Sequence, residues 1–480
     1  MPDLPFRKKC CSGFALAVLL FFAAPLRAQD VVPLPPTVVQ ALAAARIPES
    51  SVAVVVQVVD QKTPRINHNA QLVMNPASVM KLVTTYAALG MLGPAANWQT
   101  GFWSVVEADA TGRLPGHLYL KGGGDPDFSL ERFWMLLRQL RARGVRHIDG
   151  DLVLDRSRFT LPPHDPAAFD HRPLRAYNVG PDALLVDANA LRFLLRPEGE
   201  QVRFSRITPH DNLEVVTRIV PGKGGCNGWR ERLNYVWQAN RLEISGSYPT
   251  SCDEQSLLLA PLSPEAHVQE LFRALWREMG GTLRGKVRTG QTPVEARRLA
   301  TQNSPPVAEI VRSVNKWSNN VMARQLLLAL GGEEGTPESA VRQTQDWLRA
   351  QGLDFPELVL ENGSGLSRQE RINAQSLNRL LIHAWHSAVM PEVIASLPIS
   401  AVDGTMQKRL RDTPAAGHAH IKTGSLSGAK TAAGYVQDLR GKRYAVTFLI
   451  NHANAAQGEK AMDALLLWVV AQKTEDSAGN

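Results

Sequence analysis

The sequence predicts an α+β protein: an antiparallel sheet flanked by helices, built jointly by the two ends of the chain, with a large and mainly β insert between them. Three observations lead there. A valine-rich run at 51–60 (SVAVVVQVVD) has the composition of a buried strand. Helical periodicity dominates from about 307 to 388, and a strand–turn–strand–helix pattern follows it. Between these, 99–301 has another texture, rich in Gly, Pro and Arg with short β-like runs.

The elements follow in order. After the valine run, 61–65 contains Pro64 and reads as a turn. Asn75-Pro76 marks a helix start, and 79–92 has the apolar density of a buried helix. Strand-like runs in the insert fall at 117–120, 151–154, 213–219 and 241–244, with 267–279 as a helical exception. Helical patterns return at 307–317, 320–330, 338–351 and 374–388. Strands at 431–437 and 444–451 flank 438–443, where Gly441 is a hairpin signal, and a last helix covers 459–471. The division this implies is a sheet-and-helix domain at 29–98 and 302–480, an inserted domain at 99–186 and 262–301, and a second inserted domain at 187–261. There is no internal repeat and no low-complexity segment.

A chain of 480 residues is long enough for two or three domains. At 44% hydrophobic and 20% charged it suits a globular protein with a sizeable core. The formal charge is +8, but the basic residues are scattered, which argues against a nucleic-acid stripe and leaves a mild attraction to anionic polymers. Residues 1–28 read as an export signal: Arg7, Lys8 and Lys9 precede an apolar stretch at 13–26, and Ala28 precedes a cleavage point. That stretch is shorter than the ~20 residues of a spanning helix, so the expectation is a periplasmic protein with no transmembrane span in the mature chain. The apolar run at 464–470 is shorter still. Cys10 and Cys11 lie in the leader. Cys226 and Cys252 are either two free buried thiols or a disulfide, and their polar, Gly- and Ser-containing settings in an exported protein favour the disulfide.

Three short patterns bear on chemistry. Ser-x-x-Lys occurs at Ser78–Lys81, Ser313–Lys316 and Ser427–Lys430. Only Ser78 opens an apolar helix, where residues three apart share a face and the helix N-terminus offers free N–H groups and partial positive charge to a developing oxyanion. The bland alternative is a capping serine beside a solvated lysine. Ser-x-Asn occurs at Ser313–Asn315, Ser318–Asn320 and Ser376–Asn378. The first and third fall within helical patterns and read as solvated helix faces. Ser318-Asn319-Asn320 sits at a junction between two helices, where both side chains can project from a turn or one can serve as a cap. Lys422-Thr423-Gly424 occurs once, ahead of Ser425 and a strand-like run. A glycine at a sheet edge permits close approach to the backbone, and lysine, threonine and serine together can hold a carboxylate; the alternative is a basic turn.

Taken together and in this order, the three patterns resemble the active-serine set of the penicillin-recognising serine peptidases. The resemblance narrows to the class C low-molecular-mass penicillin-binding proteins, a D-Ala-D-Ala carboxypeptidase/endopeptidase family. The separation of 240 positions from Ser78 to Ser318, the Gly122-Gly123-Gly124-Asp125-Pro126 segment, Asn362-Gly363-Ser364-Gly365-Leu366-Ser367-Arg368 and Asp403-Gly404-Thr405 carry that narrowing. Two departures stand out: Ser-Asn-Asn where Ser-Asp-Asn is common, and Asn362 where aspartate is usual.

The resemblance implies a penicillin-binding/β-lactamase-like transpeptidase fold and a set of roles. Ser78 is the nucleophile and Lys81, neutral when acting, its base. Ser318 relays a proton to the leaving amine with Lys422 beside it, and Asn320 holds the substrate amide. Thr423 and Ser425 bind the terminal carboxylate around Gly424. The N–H groups of Ser78 and Ser425 form the oxyanion hole, and Asp170 corresponds to an acid near the site. Peptidoglycan peptides and β-lactam antibiotics are the implied partners. No cofactor or metal is implied: there is no His-Glu-x-x-His, His383 and His386 fall on an ordinary helix, and no phosphate-binding glycine loop is present. A β-lactamase-like hydrolase and a catalytically silent cell-wall binding protein are the rivals. The large insert argues against the first, and the joint presence of Lys81 and Lys422 against the second.

Overall fold

In the computed structural model of the protein, the valine-rich run becomes the strand Val52–Val58, buried everywhere except partly at Gln57. The structure describes residues 32–333 and 335–472, and the export-signal expectation for 1–28 lies outside them. Val52–Val58 pairs antiparallel with Arg443–Asn451 on one side and Ile66–His68 on the other. Ala429–Gln437 and Ala419–Leu426 extend the ladder, giving a five-stranded antiparallel sheet with Ala419–Leu426 at one edge. Strands from both ends of the chain thus share one sheet.

Successive strand residues point to opposite faces, and both faces are covered, which is why the valine run does not alternate with polar residues. Ala53, Val55, Ala433, Tyr435 and Leu449 face a cluster that includes Val83, Ile310, Leu326 and Leu381, from the helices Lys81–Leu92, Val307–Trp317, Asn320–Ala329 and Ala374–Trp385. Val52, Val54, Val56 and Phe448 face a second cluster, with Val38, Leu42, Leu465 and Val469 from the helices Pro36–Ala44 and Glu459–Val470.

The insert departs from this sheet after Lys81–Leu92 and returns before Val307–Trp317. Gln99–Ser104, Leu118–Lys121, Leu152–Asp155, Val287–Thr289 and Arg297–Asn303 form a mixed five-stranded sheet. Leu118–Lys121 and Leu152–Asp155 are parallel, so the chain must cross over between them, and the helix Leu130–Ala142 does so. The sequence reading did not anticipate this helix. Its marks are a capping Ser129, whose side chain accepts from the Arg132 N–H, and the fully buried Phe133, Leu136, Leu137 and Leu140 at helical spacing. The anticipated helix lies at Pro264–Glu278.

Within 187–261 two three-stranded sheets share a separate core of Leu191, Phe193, Leu242, Ile244, Tyr248 and Trp229. Cys226 and Cys252 are joined there by a disulfide across a sequence separation of 26 residues. No described helix is long and apolar enough to cross a membrane.

Closing a loop of that length stabilises this part of the insert by about 3 kcal/mol through the unfolded state. A non-reducing peptide map should therefore show Cys226 linked to Cys252, and replacing both by Ser should lower the denaturant midpoint of the protein. Free alkylation of both thiols, or an unchanged midpoint, would contradict the assignment.

Candidate active site

The segment before Ser78 is pinned to the sheet. The Asn75 N–H donates to Asn451 Oδ1 at 2.7 Å, Asn451 Nδ2 donates back to the Asn75 carbonyl at 3.0 Å, and Thr431 Oγ1 donates to the Pro76 carbonyl at 2.7 Å. Ala77 then takes a left-handed conformation with φ of 46°, which costs a non-glycine residue roughly 1–2 kcal/mol. As a result the α-helix does not begin at Asn75-Pro76. Ala77–Met80 is a 3-10 turn and the α-helix starts at Lys81. Residues three apart eclipse in a 3-10 turn, so Lys81 stands directly against Ser78, with Nζ 3.1 Å from Oγ.

Lys81 is completely buried. Its Nζ reaches two further acceptors: Asn320 Oδ1 at 2.6 Å and the Ser364 carbonyl. Burial holds the amine well below the usual lysine range, and the neighbouring Lys422 pushes in the same direction. A neutral amine has two hydrogens and one lone pair. With two acceptors occupying the hydrogens, the lone pair is left for the Ser78 hydroxyl.

Ser318 caps the helix Val307–Trp317 in a left-handed conformation with φ of 56°, and Asn320 opens the helix Asn320–Ala329. The tight junction turns both side chains into the cleft. Asn319 between them caps the second helix, accepting from the Met322 N–H at 3.1 Å. Asparagine and aspartate cap equally well, which accounts for the Ser-Asn-Asn departure.

Lys422-Thr423-Gly424 lies within the edge strand Ala419–Leu426, not in a turn ahead of a strand. Lys422 is also completely buried, and burial brings its amine down to about 7. It donates to Ser318 Oγ at 2.8 Å and to the Thr423 carbonyl at 2.7 Å. Thr423 Oγ1 lies 2.8 Å from Thr405 Oγ1, and Ser425 is exposed. At Gly424 the close approach is to the Ser78 backbone: a Cβ there would lie 2.7 Å from the Ser78 nitrogen and 2.2 Å from Thr431 Oγ1. Gly365 closes the other side, where a Cβ would lie 1.9 Å from the Ala77 carbonyl oxygen.

The loop at 361–370 was not singled out as part of the site, and it supplies the Ser364 carbonyl. Glu370 is fully buried beneath it and accepts the N–H groups of Glu361, Asn362 and Gly363. Asn362 accepts from the Ser364 N–H at 3.0 Å and donates to the Leu366 carbonyl at 3.1 Å. An ionised aspartate at 362 has no donor for the second bond.

Asp170 accepts hydrogen bonds from Tyr177, Asn178 and the Arg172 N–H. Among the described residues no hydrogen bond joins it to Ser78, Lys81, Ser318, Asn320 or Lys422. Its neighbour Phe169 packs under Arg368, 4.6 Å from guanidinium to ring centroid. A cavity of about 520 Å³ lies there, lined by Phe169, Asn178, Arg324, Leu366 and Arg368 among others. A larger cavity of about 1190 Å³ lies in the insert and includes none of the serines or lysines above.

The other pattern matches stand elsewhere. Asn315 and Asn378 are buried rather than on solvated faces, because both helices pack on more than one side. Asn315 donates to Thr85 Oγ1 and Ser396 Oγ. Lys316 pairs with Asp403 and Lys430 with Glu459. His383 lies on the helix Ala374–Trp385 and meets Tyr86, and His386 caps its end.

Residues 36–472 match the model of the D-Ala-D-Ala carboxypeptidase 3 (S13) family. The chain is 26% identical over 416 residues to the D-alanyl-D-alanine carboxypeptidase DacB of Haemophilus influenzae, covering 85% of this chain and 86% of that one. It is 30% identical over 390 residues to the D-alanyl-D-alanine carboxypeptidase of Actinomadura sp. (strain R39), covering 76% and 71%. Among solved structures, penicillin binding protein 4 of H. influenzae superposes with a TM-score of 0.74 at 25% identity, over 90% of this chain and 99% of that one. The same protein complexed with a β-lactam superposes at 0.70 and 24%, over 90% and 99%.

The glycine at 424 gives a direct test of this packing. Gly424→Ala should displace the Ser78 backbone and reduce acylation of the serine at least a hundredfold, while far-ultraviolet circular dichroism stays the same. A variant with wild-type acylation would mean that the strand does not press on Ser78.

Proposed function

Because the chain belongs to the D-Ala-D-Ala carboxypeptidase 3 (S13) family and is a serine-type D-Ala-D-Ala carboxypeptidase, we propose that Ser78 is its nucleophile and that it opens both the terminal D-Ala-D-Ala bond of peptidoglycan stem peptides and the cross-links between stems. The observation that carries this reading is the buried Lys81 amine, which has Ser78 Oγ on one side and Asn320 Oδ1 and the Ser364 carbonyl on the others.

The proposed steps run as a serine acyl transfer. The Lys81 lone pair takes the Ser78 proton as Oγ bonds to the carbonyl carbon of the penultimate D-alanine. Negative charge moves to the carbonyl oxygen, which the N–H groups of Ser78 and Ser425 receive. Lys422 donates to Ser318 Oγ, so the Ser318 proton is free to point at the departing nitrogen. The tetrahedral intermediate collapses, the C–N bond breaks, and Ser318 passes its proton to the amine while the proton that Lys81 took from Ser78 replaces it, so that Ser318 and Lys81 both end as they began. Asn320 positions the substrate amide, and Thr423 and Ser425 hold its carboxylate next to Gly424. Water then attacks the acyl-enzyme and restores Ser78. Asp170 borders the site through the Phe169–Arg368 contact and does not take part in proton transfer.

All of these side chains except Asp170 belong to the domain formed by 29–98 and 302–480. The segments 99–186 with 262–301, and 187–261, are two inserted domains, and their size favours a peptidase over a β-lactamase. The work of such an enzyme lies in the periplasm, after export by 1–28.

A β-lactam presents a like amide, strained in its ring, and a like carboxylate, and its amine stays tethered after ring opening. Intact mass measured over time with penicillin should show one drug on the Ser78 peptide, absent in Ser78→Ala and persisting for many minutes. With purified muropeptides the enzyme should release D-alanine from monomers and split cross-linked dimers. Rapid loss of the adduct with drug hydrolysis would indicate a β-lactamase, and labelling at Ser313 or Ser427 would refute Ser78 as the nucleophile.

A further inference from the structure

The Asp403-Gly404-Thr405 motif and Lys316, the lysine of the second Ser-x-x-Lys, have no part in the roles above, yet the fold joins them. Lys316 lies two residues before Ser318 and is 3% exposed. Its Nζ donates to Asp403 Oδ2 at 2.6 Å and to the Leu397 carbonyl at 2.6 Å. Asp403 Oδ1 accepts the Ile399 N–H at 2.8 Å, so the carboxylate is held from two sides at the head of the 3-10 turn Gly404–Met406. Gly404, with φ of 56°, packs so tightly that a Cβ would lie 2.6 Å from the Lys316 carbonyl oxygen. From this turn Thr405 reaches across to Thr423, Oγ1 to Oγ1 at 2.8 Å. Lys422, next to Thr423, donates to Ser318. A closed circuit therefore links the end of the Ser318 helix, the Asp403 turn and the edge strand.

Each threonine hydroxyl has one hydrogen and can accept others. A substrate carboxylate only accepts. When Thr423 donates to that carboxylate, its own oxygen is left to accept, and Thr405 is the hydroxyl placed to donate to it. Hydrogen bonds aligned in this way toward an anion polarise one another. We infer that Thr405 is a positioning residue for the substrate's terminal carboxylate: it orients the Thr423 hydroxyl as a donor, and the Lys316–Asp403 pair holds it in place. The inference rests on the reading of Thr423 as a carboxylate ligand. Lys316 is buried while Asp403 stays partly exposed, and burying the ammonium is costly unless its bonds are satisfied; here Asp403 and the Leu397 carbonyl satisfy them and fix this one turn.

The experiment compares two substrates on the full-length enzyme: a peptide ending in D-Ala-D-Ala with a free carboxylate, and an acyl thioester whose leaving group has no carboxylate. Thr405→Val should raise KM for the peptide about tenfold, the effect of losing one hydrogen bond in a charged site, with kcat within about twofold. Turnover of the thioester should not change, and Thr405→Ser should restore the peptide KM. Lys316→Met should shift the same parameter in the same direction; if it fails to fold, the two Thr405 variants decide alone. Equal losses on both substrates, a loss confined to kcat, no loss, or failure of Thr405→Ser to rescue would overturn the inference. Thr423→Val separates the two levels. Full peptide activity in that variant overturns the carboxylate reading and this inference with it, whereas a loss at Thr423 with none at Thr405 overturns the inference alone.

Discussion

Two lysine side chains, Lys81 and Lys422, are taken wholly out of water in the cleft, and the rest of the site is arranged around that fact. An unpaired ammonium in a protein interior is so unfavourable that the group gives up its proton instead. No carboxylate bonds to either amine among the described residues. Their acceptors are an amide oxygen, backbone carbonyls and serine hydroxyls. Neutral acceptors anchor an amine without restoring its positive charge. Burial therefore holds both amines below the ordinary lysine range and favours their uncharged form more than water does.

This demand explains the packing near Ser78. A carbonyl can face Lys81 only if the 361–370 loop turns inward, and Glu370 beneath it collects the three N–H groups that such a turn exposes. The edge strand and the loop both press on the backbone at 77–78, a close approach that Gly424 and Gly365 permit. The left-handed Ala77 and the 3-10 turn after it bring Ser78 against Lys81. The sheet made from both ends of the chain supplies the rigid base, and the insert grows out between two helices without interrupting the site.

Much of this was legible in the sequence, and the reasons are local. Ser78, Ser318 and Lys422 each lie near a boundary that leaves a trace: a proline, a junction between two helical periods, a glycine. The covered sheet was legible because Val52–Val58 is apolar on both faces. The Ser364 carbonyl left no trace, because a backbone acceptor has no side-chain signature. Glu370 carries no mark of its burial in the sequence, since burial of a charged residue depends on contacts distant in sequence. Asn315 and Asn378 were misread as solvated because periodicity marks one buried face, and the helices Val307–Trp317 and Ala374–Trp385 pack on several. The strand at 419–426 was left open between a sheet edge and a basic turn because Lys, Thr and Gly carry little strand signal between them, and its pairing with Ala429–Gln437 decides the matter. Leu130–Ala142 was legible in principle, from Ser129 and the spacing of Phe133, Leu136, Leu137 and Leu140, but the β-like texture around it drew attention away.

The claim on which the account turns is that Lys81 is neutral in the folded enzyme before substrate arrives. The most direct measurement is a pH titration of lysine ε-carbons by NMR on protein with labelled lysine, with the Lys81 signal assigned from Lys81→Met. The account predicts a Lys81 resonance that titrates far below the ordinary 10.5 and reports an uncharged amine at neutral pH. A Lys81 signal that titrates near 10.5, and so remains protonated through the working range, would contradict it.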